Sequence, residues 1–216
     1  VAEDRFRLRS FLFRYLTRKI FSEAAAFISV SRFLAEGVNH QVIRKEYEVI
    51  PNVADTSLVN FREKEKGAFR FIHVSNMVPL KNADGILRAF VAMQKEYPDS
   101  ALLMVGDREP AIRELAAQLN QIPGSIQFTG EIPYEQVAKA MQESDCLLLF
   151  SHIENSPCVI GEALCCGLPV IASRVGGIPE LIKEDNGILV PAANENALVE
   201  AMKQIRQKKL HFNRQI

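Results

Sequence analysis

The sequence has no excess of charge of either sign: 26 lysines and arginines stand against 26 aspartates and glutamates. That balance argues against broad nucleic-acid binding, which needs a basic face. Cysteine is scarce, with Cys146, Cys158, Cys165 and Cys166 the only four, and none makes a CxxC pair. The four histidines are scattered. Neither a disulfide framework nor a zinc site has its ligands at the needed spacing. The apolar or helical contexts of the cysteines predict buried, reduced thiols and a cytoplasmic setting. No apolar run reaches membrane-spanning length, and no secretory signal is visible. Low-complexity segments and internal repeats are lacking too.

What is present is an ordinary globular composition, 48% hydrophobic and 24% charged over 216 residues. That length allows one large domain, or one plus part of another, with a sizeable core. Residues 1–21 are arginine-rich, and Leu8, Leu12, Leu16 and Ile20 form a helical apolar stripe. Two readings stand: a basic amphipathic helix on an anionic membrane face, or a helix packed on its own domain. Phe6, Phe11 and Phe13 widen the apolar surface and favour burial. Strands are expected at 24–30 and 47–50, with a helix at 31–38 between them. Residues 56–67 are charged and read as a solvated linker.

From Phe69 onward, strands and helices alternate. Strands are expected at 69–74, 101–105, 126–129, 146–150, 168–172 and 188–190. Helices are expected at 82–97, 110–120, 133–142, 157–166, 178–182 and 194–208, with Tyr134, Val137 and Met141 facing inward. This alternation predicts an α/β fold, a Rossmann-like doubly wound parallel sheet. In such sheets ligands bind at the carboxyl ends of the strands.

The stretch from Cys146 to Pro191 carries most of the chemistry. A buried strand is followed by the polar loop Ser151–Ser156, then a helix that Ser156 and Pro157 open and Gly167 ends. The first amides of that helix, near Ser156, Cys158 and Val159, have no partner within it and favour an anion such as phosphate. Glu162 stands one turn further along. A carboxylate only accepts hydrogen bonds, so a pair of hydroxyls suits it. A phosphate at the helix tip, a diol at Glu162 and a further hydroxyl near Glu154 describe a nucleotide-sugar. Two carboxylates repel a diphosphate, so a cation is expected nearby, and Lys81 is the candidate.

At these residues the chain resembles the GT-B-fold glycosyltransferases, most closely their retaining family 4. The mark is two glutamates separated by seven residues, Glu154-Asn-Ser-Pro-Cys-Val-Ile-Gly-Glu162, followed by Gly167-Leu-Pro-Val-Ile-Ala. The runs Gly176-Gly-Ile-Pro-Glu180 and Asn186-Gly-Ile-Leu-Val-Pro191 are similar to the family's next segments. Gly161 departs from the bulky aliphatic usual there. The runs Ile28-Ser-Val-Ser31 and Val49-Ile-Pro-Asn-Val-Ala-Asp55 resemble the end of the family's first domain. The resemblance implies that 1–55 is the tail of an N-terminal, acceptor-side domain, 56–67 a linker, and 68–216 the nucleotide-sugar donor-binding domain.

It further implies transfer of a sugar from a nucleotide-diphosphate-sugar to a glycan or lipid-linked acceptor, with retained configuration. Lys81 matches the family's pyrophosphate lysine, while Asn76 stands where its arginine is expected. Gly106 permits close approach of backbone to ligand. Glu131 and Ile132, after Gly130, match the loop whose backbone reads the nucleobase. Glu154 positions the sugar, Glu162 holds the ribose diol, and Asn155, Ser156, Cys158 and Val159 surround the phosphates. No cofactor or metal ion is implied, because Lys81 and the helix amides stabilise the leaving diphosphate. No nucleic-acid partner is expected, and peripheral membrane contact of the parent protein stays open.

Asp107 reads equally as a sugar contact or a helix cap, and Glu180 as a ligand contact or a salt-bridged helix residue. A chain holding only the donor part is expected to bind donor without meaningful transfer. Rival readings are a nucleotide-sugar epimerase or phosphorylase on the same fold, and a nucleotide-binding module without catalysis. A glycoside hydrolase using Glu154 and Glu162 is disfavoured, since it needs no phosphate-binding helix tip.

Overall fold

The computed structural model describes residues 9–65, 67–106, 110–119 and 122–207. The reading of Asp107, and Leu8 and Phe6 of the first helix, lie outside them. The described chain opens with α1 (Phe11–Glu23), β1 (Ile28–Ser29), α2 (Arg32–Gln41) and β2 (Glu48–Val49). It continues with β3 (Arg70–Val74), a 3-10 turn (Pro79–Lys81), α3 (Ala83–Gln94), β4 (Ala101–Val105), α4 (Pro110–Leu119) and β5 (Ile126–Gly130). Then come α5 (Tyr134–Gln142), β6 (Cys146–Leu149), α6 (Cys158–Cys165), β7 (Val170–Ser173), α7 (Ile178–Leu181), β8 (Gly187–Val190) and α8 (Glu195–Arg206).

Strands β3 to β8 form a parallel six-stranded sheet in the order β5-β4-β3-β6-β7-β8. This is the Rossmann-like doubly wound sheet that the alternation predicts. Consecutive residues of each central strand face opposite sides. Phe71, Leu102, Met104 and Leu148 join one core with Ile86, Phe90 and Met93 of α3 and Leu198 and Met202 of α8. Ile72, Leu103, Leu147 and Leu149 join the other, with Met141 of α5 and Ile160 and Ala163 of α6. The order reverses direction between β3 and β6, so a crevice opens at their carboxyl ends.

The first segment departs from expectation. Its strands shrink to two residues each, paired parallel as β1 with β2. No residue of α1 is buried, and Phe11 is 81% exposed. Burial of the apolar stripe on its own domain is therefore corrected. The reason is size: the two-stranded sheet offers little surface, and α1 meets it near its C-terminal end, where Phe21 packs on Phe27, 5.7 Å between centroids.

Among the described residues of 56–67, most are exposed as a solvated linker requires, but the stretch is also anchored to the domain. Val59 is buried in the second core, and Gln142 Nε2 donates to the carbonyls of Leu58 (3.3 Å) and Asn60 (3.0 Å). Lys64 pairs with Asp145, and its ammonium donates to the Ala68 carbonyl at 2.9 Å. Tyr134 does not face inward; it lies exposed at the start of α5. Cys146 and Cys166 are buried, but Cys165 is half-buried and Cys158 is exposed, because it opens α6 at the carboxyl edge of the sheet. Burial pushes the Cys166 thiol up to about 11.

Candidate functional site

Two loops meet over the crevice. The first leaves β3 and carries Ser75, Asn76 and the 3-10 turn that ends in Lys81. The second leaves β6 and runs from Ser151 to Pro157. The His152 amide donates to the Leu80 carbonyl at 2.8 Å and ties them together. Lys81 Nζ lies 2.6 Å from Glu154 Oε1. The same oxygen accepts from the buried Ser151 hydroxyl at 2.8 Å. Glu154 is 9% exposed, and these two partners satisfy its carboxylate in that buried position.

The backbone of Glu154 is pressed against the loop after β7. Gly176 has φ 55, and a Cβ there would stand 1.6 Å from the Glu154 carbonyl oxygen. Only glycine permits that approach. Gly106 does the same for the first loop: a Cβ there would lie 2.2 Å from the Ser75 carbonyl oxygen. Gly106 thus touches the loop that carries Asn76 and Lys81. Asn76 is exposed at its tip.

Helix α6 begins at Cys158, and its cap residue is Pro157, with no side-chain cap. Ser156 is not the N-cap. It turns its carbonyl to Asn52, whose Nδ2 donates at 2.7 Å. The first-turn amides of Cys158 and Val159 are thus not occupied by a capping side chain. Asn155 Oδ1 is shielded from solvent and has no hydrogen-bond partner.

Glu162 is not in the apolar interior. It is half-buried, and Tyr134 donates its hydroxyl to Oε1 at 3.2 Å. Burial raises the Glu162 carboxyl above its ordinary range, and the Tyr134 bond opposes this. Burial and the neighbouring Glu162 charge push the Tyr134 phenol up to about 12. The tyrosine was missed in the sequence because its helical spacing reads as core. Glu131 is exposed and Ile132 half-buried, in the short loop between β5 and α5.

Among the described residues Glu180 makes no salt bridge, which corrects the salt-bridged reading. Its carboxylate accepts from the amides of Arg32 (2.9 Å) and Phe33 (2.8 Å), capping α2 from the far side of the chain. Among the described residues, no three His, Cys, Asp or Glu side chains converge where they could hold a metal ion. No helix among them is long and apolar enough to cross a membrane.

The sheet order, the crevice between β3 and β6 and the loops over it define a Rossmann-like parallel α/β domain, the kind that forms the C-terminal half of a GT-B fold. The chain belongs to the glycosyl transferases group 1, whose family model matches residues 56–215. It is 31% identical over 198 residues to an N-acetyl-alpha-D-glucosaminyl L-malate synthase of Bacillus anthracis, covering 82% of this chain and 51% of that protein. It is 28% identical over 137 residues to a GDP-mannose-dependent phosphatidylinositol monomannoside mannosyltransferase of Corynebacterium glutamicum, covering 59% and 35%.

Among solved structures, sucrose-phosphate synthase from Thermosynechococcus elongatus superposes with a TM-score of 0.80 at 24% identity, covering 96% of this chain and 55% of that one. Anabaena HepE, in complex with UDP-glucose, superposes at 0.72 and 21% identity, covering 86% and 55%. The chain therefore spans about half the length, or less, of the curated relatives it matches.

Proposed function

We propose that this chain is the donor-binding part of a retaining, family 4 glycosyltransferase. It takes a nucleotide-diphosphate-sugar, and the parent protein passes the sugar to a glycan or lipid-linked acceptor. Residues 1–55 belong, in this reading, to the acceptor-side domain and 68–216 to the donor domain. The reading sets the protein on the cytoplasmic side, with membrane contact, if any, peripheral.

One observation carries the proposal: the Lys81–Glu154 pair bridges the two loops at the sheet's switch point, with Glu154 in the loop that leads to the uncapped start of α6. The diphosphate rests on the amides of Cys158 and Val159 and on Lys81, which leaves Glu154 to share its charge with the incoming phosphate. Asn76 donates to a phosphate oxygen without adding charge. Asn155 Oδ1, an acceptor with no partner, suits a sugar hydroxyl. The ribose diol displaces the Tyr134 hydroxyl from Glu162 or shares the carboxylate with it. Glu131 and Ile132 border the nucleobase, which their backbone reads. The developing charge on the leaving diphosphate is met by Lys81 and the amides, with no cofactor or metal. HepE, crystallised with UDP-glucose on the same fold, agrees with this class of ligand.

The test is a thermal-shift screen with uridine, guanosine and adenosine diphosphates and their common sugars. At least one should raise the melting temperature, and Glu162→Ala should reduce that rise. No rise with any of them sinks the reading. An unchanged rise in Glu162→Ala removes Glu162 from the site. With an acceptor present, the 216-residue chain should give no meaningful transfer.

A further inference from the structure

His73 stands on β3, two residues before the loop that carries Asn76 and Lys81. Its ring is fully buried, yet both nitrogens are engaged. Nδ1 lies 2.9 Å from the Leu148 carbonyl oxygen on β6, and Nε2 lies 2.7 Å from Ser75 Oγ. A carbonyl only accepts, so Nδ1 carries the proton. Nε2 is then a bare acceptor and accepts a hydrogen bond from the Ser75 hydroxyl. Ser75 Oγ in turn accepts from the Met77 amide at 2.9 Å. The bonds run in one direction: Met77 to Ser75, Ser75 to His73, His73 to the next strand.

This arrangement holds a costly turn. Met77 has φ 53, a left-handed conformation that is unfavourable for a residue bearing a side chain. Its side chain is buried, so the turn is fixed by packing on one side and by Ser75 on the other. Asn76 lies between these two anchors, exposed. The 3-10 turn that follows delivers Lys81 to Glu154. An aliphatic residue on β3 would fill the same core without needing partners. The imidazole instead spends both nitrogens on this loop and its neighbour strand.

We propose that His73 is a positioning residue for the diphosphate site: through Ser75, its ring holds the turn at Ser75–Met77 so that Asn76 and Lys81 face the phosphates. This rests on the donor-site reading above. Burial, and after it the Lys81 charge, push the His73 imidazole down to about 4, against the Leu148 bond that raises it. The ring stays neutral at pH 7, and Nε2 stays an acceptor.

The experiment titrates the protein with uridine, guanosine and adenosine diphosphates by calorimetry and follows hydrogen exchange at the Met77 amide. Three variants are compared. Ser75→Ala cuts the relay and leaves the Leu148 bond; His73→Leu removes both bonds. His73→Gln keeps an acceptor for Ser75. Ser75→Ala and His73→Leu should weaken the diphosphate that binds by about tenfold, as for one lost hydrogen bond at a charged site, and speed Met77 exchange. His73→Gln should restore affinity to within about threefold.

Faster Met77 exchange in Ser75→Ala with undiminished affinity overturns the proposal. So does Met77 exchange that ignores Ser75. If the unaltered protein binds none of the three diphosphates, the donor-site reading falls and takes the positioning role with it. That failure is told apart because the Met77 amide remains slow and still depends on Ser75.

Discussion

Lys81 and Glu154 are bound to each other before any ligand arrives, at 2.6 Å. Ser151 adds a neutral donor, so in the proposed donor site the buried carboxylate keeps a partner if the lysine turns to a phosphate. A cation held this way is oriented in advance, which lowers the cost of binding. His73 shows the opposite case, a titratable group kept uncharged. Its stability signature has a definite sign. The unfolded chain takes up the proton below about 6.5, whereas the folded ring resists until about 4. Stability therefore falls as pH drops through that window and levels off below it. The contribution is about 3 kcal/mol. Urea unfolding of the wild type and of His73→Gln at pH 7 and pH 4.5 measures it. The variant should lose less stability on acidification; equal losses would remove His73 as the source. Glu154, Glu162 and Lys81 were legible as candidate site residues in the sequence, because carboxylate chemistry and spacing are local properties. His73 and Tyr134 were not, because their parts depend on which atoms lie opposite.

Helix α6 is short, Cys158–Cys165, and weakly made at its start. Gly161 sits inside it, and a Cβ there would meet nothing within 4 Å. A glycine in a helix interior costs about 0.5–1 kcal/mol relative to alanine. Gly161→Ala should raise the unfolding free energy by about that amount, measured by urea denaturation, with unchanged diphosphate response. A loss of stability would mean that the position is filled by something the fold does not show. Gly176 is the contrary case. Its positive φ and the adjoining Glu154 carbonyl leave no room for a methyl group. Gly176→Ala should destabilise the protein by about 2 kcal/mol or more and abolish the thermal shift with diphosphate. A variant as stable and as responsive as the wild type would contradict the close approach. The strand–helix alternation announced every element of the main sheet. The two short strands of the first segment were overread, because apolar runs there lack a sheet to join.

Across the whole molecule, the first segment is fastened to the sheet domain by polar bonds to backbone. Glu180 caps α2 through the amides of Arg32 and Phe33, and Asn52 holds the Ser156 carbonyl at the edge of the site. A carboxylate at a helix N-terminus contributes about 1 kcal/mol. Glu180→Gln should speed hydrogen exchange at the Arg32 and Phe33 amides while the six-stranded sheet keeps its protection. Unchanged exchange would show that Ser31, which also caps α2, suffices alone. Helix α1 adds an apolar face to the same segment, with Phe11, Leu12, Leu16 and Ile20 exposed among the described residues.

The sequence by itself determined the parallel sheet, the two glutamates and the lysine, because periodicity and residue type act over a few positions. Only the tertiary structure decided that Lys81 closes on Glu154, that Tyr134 reaches Glu162 and that Glu180 serves a helix far along the chain. Those pairings follow from which strands become neighbours. Strand β3 lies beside β6 rather than β5, and that choice is made by the packing of two whole cores, not by any local run of residues.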